Sequence, residues 1–74
     1  MDGNFGVVLF YSTSAAIRTE KLIKNSGFKV KLISVPRQLS SDCGISLRFN
    51  INYKDEIVKI LKKEEVEYDS IHKL

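Results

Sequence analysis

Residues 45–52, with the sequence ISLRFNIN, carry the strongest two-residue periodicity in the chain. Apolar side chains alternate with polar ones along this stretch, which is typical of a β-strand with one face in a core and the other in solvent. We therefore predict a strand here, with Ser46, Arg48 and Asn50 exposed to solvent.

The sequence after this strand changes from a two-residue to a helical period. Apolar residues now recur at helical spacing, at Tyr53, Ile57, Ile60 and Leu61. Asn52 is the predicted N-cap, with Asp55 and Glu56 in the first turn, and the helix is expected to run to about Glu65. Residues 66–74 have room for one more strand, although their alternation is weaker.

Two further strands are predicted before the periodic stretch. Residues 5–11, FGVVLFY, are apolar at both odd and even positions, which favours a central strand buried on both faces. Residues 29–35 begin with alternating Lys and apolar side chains, as in a half-exposed strand. Pro36 lacks a backbone N–H and is expected to end that strand.

A helix is predicted between these two strands, from Thr13 to about Ser26. Residues 12–14 offer a hydroxyl cap at its start, and Gly27 offers a left-handed residue at its end. Its apolar face consists of Ala15, Ala16, Thr19, Leu22 and Ile23. Glu20 can pair with Lys24 one turn later.

The predicted order is therefore strand, helix, strand, strand, helix, strand. This order indicates an α+β fold of the ferredoxin-like βαββαβ type, with a four-stranded antiparallel sheet and both helices on one face. We expect residues 1–74 to form a single domain, since no repeat, linker or low-complexity segment divides the chain.

Composition restricts the classes of function. The 74 residues are 43% apolar and 28% charged, with a net charge of +3 that is spread along the chain, which does not favour nucleic acid as a partner. No apolar run approaches the roughly 20 residues needed to cross a bilayer, and residues 1–4 lack the basic start of a secretion signal, so we expect a cytoplasmic protein with no membrane partner. A single cysteine and a single histidine leave no intramolecular disulfide and no zinc cluster, and no metal or other cofactor is expected.

Residues 36–44, PRQLSSDCG, join two predicted strands and contain the only cysteine. Such connections usually need about two to five residues, so a polar link of this length suggests a function beyond turning the chain. Cys43 is the candidate nucleophile, because a cysteine kept for packing would lie in an apolar pattern.

The predicted topology places Cys43 near the start of the first helix, because the first and second strands run in the same direction. A helix N-terminus favours an anion such as a thiolate, a persulfide or a phosphate, and an arginine on the loop could stabilise a sulfur anion. The candidate site residues are Ser12, Thr13 and Ser14 at the start of the helix and Pro36, Arg37, Ser40, Ser41, Cys43 and Gly44 on the loop. Asp42 opposes thiolate formation.

The chain resembles, over nearly its whole length, a small bacterial family described as putative selenium or sulfur carrier protein-like. The resemblance rests on residues 10–14, FYSTS, on Glu20 in the helix that follows, and above all on the loop of residues 36–44. It implies that Cys43 holds sulfur or selenium as a persulfide or selenopersulfide and passes it from a donor protein to an acceptor protein. The same resemblance implies that the other loop residues, Pro36, Arg37, Ser40, Ser41 and Gly44, shape the pocket around the cysteine.

The sequence is also compatible with other functions. The lone cysteine fits a relay better than a self-contained redox enzyme, which would usually carry a second, resolving cysteine. Residues 12–14, Arg37 and the loop backbone could instead hold a small anion or a partner in a regulatory module without chemistry at Cys43. A homodimer formed through the open sheet face also stays open.

RNA binding through the open sheet face is disfavoured, because the third strand is expected to present Ser46, Arg48 and Asn50 to solvent instead of the glycines and aromatic residues that stack bases. Phe10 and Tyr11 are interpreted as core residues rather than as stacking platforms. His72, which has no placed partner, is interpreted as a surface residue.

Overall fold

The computed structural model of the protein describes residues 4–39 and 44–74 of the chain. In chain order its elements are β1 (Phe5–Leu9), α1 (Thr13–Asn25), β2 (Val30–Ser34), β3 (Ile45–Asn50), a 3-10 turn (Ile51–Tyr53), α2 (Lys54–Lys63) and β4 (Ser70–Lys73).

The four strands form one sheet in the spatial order β2-β3-β1-β4. β3 is antiparallel to both β1 and β2, and β4 is antiparallel to β1. β1 and β2 therefore run in the same direction, as predicted, and the two edge strands are β2 and β4. The predicted α+β class, with four antiparallel strands and two helices, is confirmed.

The core lies where one face of the sheet meets the helices. Val8, Leu47 and Val30 point to this face. Val8 on β1 is directly paired with Leu47 on β3, and Val30 lies two residues before the β2 residue that is paired with Leu47. They share one buried cluster with residues of both helices, namely Ala16 and Ile23 of α1 and Ile57 and Leu61 of α2. The apolar faces that helical spacing predicted for α1 and α2 supply these side chains.

The opposite face of the sheet, which we call the second sheet face, also buries part of β1. Val7 and Leu9 alternate with the core-facing Val8, yet their side chains are 0% and 1% exposed. β1 is therefore buried on both faces, as its continuous apolar sequence predicted. Across the second sheet face, Val7 is paired with Arg48 on β3 and with His72 on β4.

The start of α2 differs from the prediction. Asn52 was expected to cap it, but the capping side chain is Asn50, whose Oδ1 accepts a hydrogen bond of 2.9 Å from the Asn52 amide. This bond opens the 3-10 turn, and α2 then begins at Lys54 without a side-chain cap. The alternation of β3 hid the boundary, because Asn50 and Asn52 occupy equivalent positions in the pattern.

Two exposure predictions were wrong. Ser46 was expected to face solvent, but it is fully buried, and its Oγ lies 3.4 Å from both the Ile33 and the Ser34 carbonyl oxygens. A buried hydroxyl on a central strand such as β3 can donate to a backbone carbonyl of the neighbouring strand and so tolerate burial. Tyr11 was expected in the core, but it lies beyond the end of β1 and is 58% exposed.

Candidate functional site

Four strand ends meet at one end of the sheet, which we call the loop edge. Leu9, the last residue of β1, is paired with Ser46 and with Ser70, and Ser34, the last residue of β2, is paired with Ile45. The chain leaves β1 toward α1 and leaves β2 toward β3 at this same edge. The register therefore brings residues 12–14 and the ends of the 36–44 connection to one end of the molecule, as the sequence predicted.

The base of the connection between β2 and β3 is held by a backbone hydrogen bond. The Val35 amide donates to the Gly44 carbonyl oxygen over 3.2 Å, and the Leu39 amide donates to the Pro36 carbonyl oxygen over 2.9 Å. The second bond closes a turn in which Arg37 is exposed while Pro36 is half-buried. Gly44 is exposed as well, so the predicted residues of this connection that the structure describes lie at the surface.

Three predicted site residues lie outside the described residues. They are Ser40, Ser41 and Cys43. Their contribution to a site at the loop edge stays a prediction from the sequence.

The start of α1 carries the cap that the sequence predicted. Ser12 has extended backbone angles, and its Oγ accepts a hydrogen bond of 3.2 Å from the Ala15 amide. The first turn of α1 contains no acidic residue, and Ser12, Thr13 and Ser14 are all exposed. The positive end of the helix dipole at this position is therefore not neutralised by a carboxylate of its own first turn.

Exposed apolar side chains flank the start of α1. Tyr11 precedes it, and Ile17, which is 40% exposed, lies one turn inside it. Ile17 also lines a shallow depression of about 400 Å³ together with Ser14, Arg18, Lys21 and Leu22. The surface beside the loop edge therefore combines apolar side chains with two cations.

A hydroxyl and an imidazole on β4 form a pair that sequence reasoning missed. Ser70 Oγ and His72 Nε2 lie 2.8 Å apart, and both residues are half-buried on the second sheet face. His72 was interpreted as a surface residue without a partner, and that interpretation was wrong. The signal was a Ser-x-His spacing on a strand, which puts both side chains on one face.

A second feature that sequence reasoning missed lies at the end of the sheet opposite the loop edge. A cleft of about 600 Å³ opens there between β2, β3 and the 3-10 turn. Its lining residues come from four separate segments of the chain, so no local spacing in the sequence indicates it.

The described residues contain neither a cluster of metal ligands nor a helix that could cross a membrane. Across residues 4–39 and 44–74, no three His, Cys, Asp or Glu side chains are grouped closely enough to hold a metal ion. Neither α1 nor α2 has the length and apolar character needed to cross a membrane, and these are the helices in the part of the chain that the structure describes.

The geometry defines a small α+β protein whose β2–β3 connection and α1 start share one exposed edge. The chain belongs to the family described as "Putative Se/S carrier protein-like", whose model matches residues 5–73. The family predicted from the sequence is thereby confirmed. No curated protein and no solved structure matches the chain.

Proposed function

We propose that this protein is a carrier that holds one sulfur or selenium atom on Cys43 and passes it to an acceptor protein. The observation that carries the proposal is the family match, which spans residues 5–73 and so includes the cysteine-bearing connection. The exposed ends of that connection support it, because a residue that exchanges cargo between proteins must be reachable from outside.

The transfer needs no net oxidation and no resident cofactor. The Cys43 thiolate attacks the terminal sulfur of a donor persulfide, the donor's S–S bond breaks, and the donor leaves as a thiolate. A nucleophile on the acceptor then attacks the terminal sulfur of the Cys43 persulfide, and the Cys43 thiolate is released. Selenium follows the same path as a selenopersulfide.

Two features at the loop edge would favour the anionic forms of Cys43. The N-terminus of α1 lacks acidic residues in its first turn, so its dipole favours an anion nearby. Arg37 is exposed on the turn that precedes the cysteine and is always charged. Both would stabilise a thiolate or a persulfide relative to its protonated form.

The surface beside the loop edge suits docking of the donor and acceptor. Tyr11 and Ile17 supply exposed apolar area, and Arg18 and Lys21 add positive charge next to Ile17. Such a surface favours partners that present acidic side chains around an apolar contact.

Our proposal extends to the fold class, the domain organisation, the cellular location and the partners of the protein. The chain order β-α-β-β-α-β, with β1 and β3 in the centre of the sheet, supports assignment to the ferredoxin-like class. We likewise propose that residues 1–74 act as one domain, that the protein works in the cytoplasm, and that nucleic acid and membranes are not its partners. The second sheet face is the surface that a homodimer would use.

The test is sulfur loading followed by mass spectrometry. Glutathione persulfide serves as the donor and cyanide as a small acceptor that yields thiocyanate. We expect the protein to gain one sulfur on Cys43 and to lose it to cyanide, whereas Cys43→Ser gains none. Gln38→Ala, an exposed neighbour on the same connection, is the matched control and should load like the unchanged protein.

The pH dependence of Cys43 alkylation provides the second readout. We expect a thiol pKa below the free value of about 8.5, and we expect Ser14→Glu and Arg37→Ala each to raise it, because both make the loop edge less positive. Sulfur loading that persists in Cys43→Ser would overturn the carrier proposal. So would an ordinary thiol pKa together with no mass gain.

A second candidate function is an anion-binding regulatory module, favoured by two features of the loop edge, namely the exposed Arg37 and a helix N-terminus without acidic residues in its first turn. In that module Cys43 only lines the site. Calorimetry with phosphate separates the two functions, because the module predicts binding that survives Cys43→Ser and weakens in Arg37→Ala. Equal binding by Arg37→Ala and the unchanged protein would exclude it.

A further inference from the structure

The cleft opposite the loop edge has a distinctive set of lining residues. Its basic residues are Lys29, Lys31 and Arg48, its aromatic residues are Phe5, Phe28, Phe49 and Tyr53, and the rest of its wall is Gly27, Val30 and Asn50. No carboxylate occurs among these described lining residues. Its volume of about 600 Å³ falls within the range of about 300 to 1,000 Å³ that is usual for small-molecule sites.

Two cations of this cleft are cross-strand partners. Lys31 on β2 and Arg48 on β3 are directly paired on the second sheet face. Like charges at such positions destabilise a sheet, because the Cβ atoms of directly paired residues lie only about 5 Å apart. Within residues 4–39 and 44–74 neither side chain forms an ion pair. An anion bound between them would remove this repulsion.

Arg48 is held in place by an aromatic ring. Its guanidinium carbon lies 4.4 Å from the centroid of the Phe5 ring, well within the range of a cation–π contact. Arg48 is half-buried, and the contact fixes a long side chain that would otherwise lose entropy on binding a ligand. The cleft therefore presents a preorganised guanidinium, which is suited to a phosphate or a carboxylate.

An aromatic pair forms another part of the cleft wall. The rings of Phe28 and Tyr53 have centroids 5.2 Å apart and are tilted by 55°. Phe28 is half-buried and packs against the core, whereas Tyr53 is 45% exposed. The exposed Tyr53 ring is held in place by its contact with Phe28 and can stack on a planar ligand.

From these contacts we propose that the cleft binds a nucleoside 5′-monophosphate. The base stacks on Tyr53, and the phosphate lies between Lys31 and Arg48. The cations select an anion and the aromatic pair selects a planar group, and a nucleotide carries both in one small molecule. The proposal is independent of sulfur transfer at the loop edge.

The observations favour a free nucleotide over an RNA strand. A strand would need a basic track that extends past one nucleotide, whereas on the second sheet face the residue next to Arg48 is the buried Val7. One cleft with three cations, Lys29, Lys31 and Arg48, at one end of the sheet and one largely exposed ring, that of Tyr53, fits one nucleotide.

The test is a titration of the full chain, followed by amide chemical shifts in ¹H–¹⁵N spectra. The probes are adenosine 5′-monophosphate, adenosine, ribose 5-phosphate, inorganic phosphate and a short single-stranded oligoadenylate. We expect the nucleotide to bind with a Kd below about 1 mM, to shift amides of Lys31, Arg48 and Tyr53, and to bind roughly ten-fold tighter than adenosine or ribose 5-phosphate.

Three variants sharpen the test. Lys31→Gln should weaken binding several-fold and reduce its salt dependence, and Tyr53→Leu should weaken it roughly ten-fold through loss of stacking. Lys59→Gln removes an exposed lysine on α2 that does not line the cleft and should bind like the unchanged protein. Circular dichroism checks that each variant is folded.

Several outcomes would overturn the proposal. They are an absence of shifts with the nucleotide, equal responses to the nucleotide and to inorganic phosphate, and unchanged binding in Lys31→Gln. Binding of the oligoadenylate without binding of the mononucleotide would replace it with single-strand recognition. Cys43→Ser should bind the nucleotide normally, so failure here and failure of the carrier proposal are distinguishable.

Discussion

The two helices of this protein end with the same hydrogen-bond pattern but with different residues. After α1, the Gly27 amide donates to the Lys24 carbonyl and the Phe28 amide to the Ile23 carbonyl. After α2, the Glu65 amide donates to the Lys62 carbonyl and the Val66 amide to the Leu61 carbonyl. Both ends are Schellman motifs, in which one residue must adopt a positive φ.

That residue is glycine in one motif and glutamate in the other. Gly27 has φ 95° and Glu65 has φ 54°. Glycine adopts this region freely, whereas a residue with a Cβ is strained there. The strain at Glu65 is offset by packing, because Val66 lies against the core cluster that contains Leu61.

The two helix starts differ in a similar way. α1 is capped by the Ser12 hydroxyl and has no acidic residue in its first turn. α2 has no side-chain cap and instead carries Asp55 and Glu56 in its first turn. α1 is thus specified by local residues at both ends, whereas α2 depends more on tertiary packing. The positive end of the α1 dipole is not neutralised at the loop edge, whereas acidic residues of α2 neutralise the dipole of that helix.

The largest effect is expected at the glycine that ends α1. Gly27→Ala should lower the free energy of unfolding by about 1 to 2 kcal/mol, because alanine at φ 95° is strained even though no atom lies within 4 Å of the added Cβ. Urea denaturation followed by circular dichroism measures it.

Gly44→Ala is the matched control for that substitution. Its added Cβ also meets nothing within 4 Å, and its φ lies outside the positive region, so the change should stay within about 0.5 kcal/mol. Equal losses in the two variants would show that backbone strain does not distinguish these positions.

The next effect is expected at the start of α1. Ser12→Ala removes the hydroxyl that accepts from the Ala15 amide and should cost about 1 kcal/mol of stability. Ser12→Asp should retain most of it, since a carboxylate can cap the same amide and also favours the helix dipole. If Ser12→Asp were as unstable as Ser12→Ala in urea, the cap would not be the source of the loss.

The smallest effect is expected at the end of α2 and has the opposite sign. Glu65→Gly relieves the strain at φ 54° and should raise the free energy of unfolding by about 0.5 to 1 kcal/mol. Glu65→Ala keeps the Cβ and serves as the control, with no gain expected in the same urea titration. A loss of stability in Glu65→Gly would mean that the glutamate side chain contributes more than its backbone costs.

This contrast also explains how much of the fold the sequence predicted. α1 was predicted at both ends because Ser12 and Gly27 act through their own backbone geometry. The start of α2 was misplaced because the capping asparagine is Asn50 and not the equivalent Asn52, and its hydrogen bond opens a 3-10 turn before the helix. The burial of Ser46 was missed because its partners lie on another strand. Alternation describes which face a side chain takes, not what covers that face.

The loop edge and the opposite cleft also differ in how far the sequence predicted them. The shared edge of residues 12–14 and the 36–44 connection followed from the predicted strand directions, so its location could be derived from the sequence. The opposite cleft could not, because Phe5, Phe28, Arg48 and Tyr53 converge only through the sheet register and the 3-10 turn. Its chemistry is a property of the assembled fold.

The hydrogen bond between the Val35 amide and the Gly44 carbonyl has a consequence for insertions into the connection that it closes. It fastens the two ends of the connection to the sheet, so the register of β2 and β3 does not depend on what lies between them. Doubling the length of such a closed segment costs only about 0.6 kcal/mol in chain entropy. Residues inserted between these two anchors should therefore cost little stability, and the pairing of β2 with β3 should be retained.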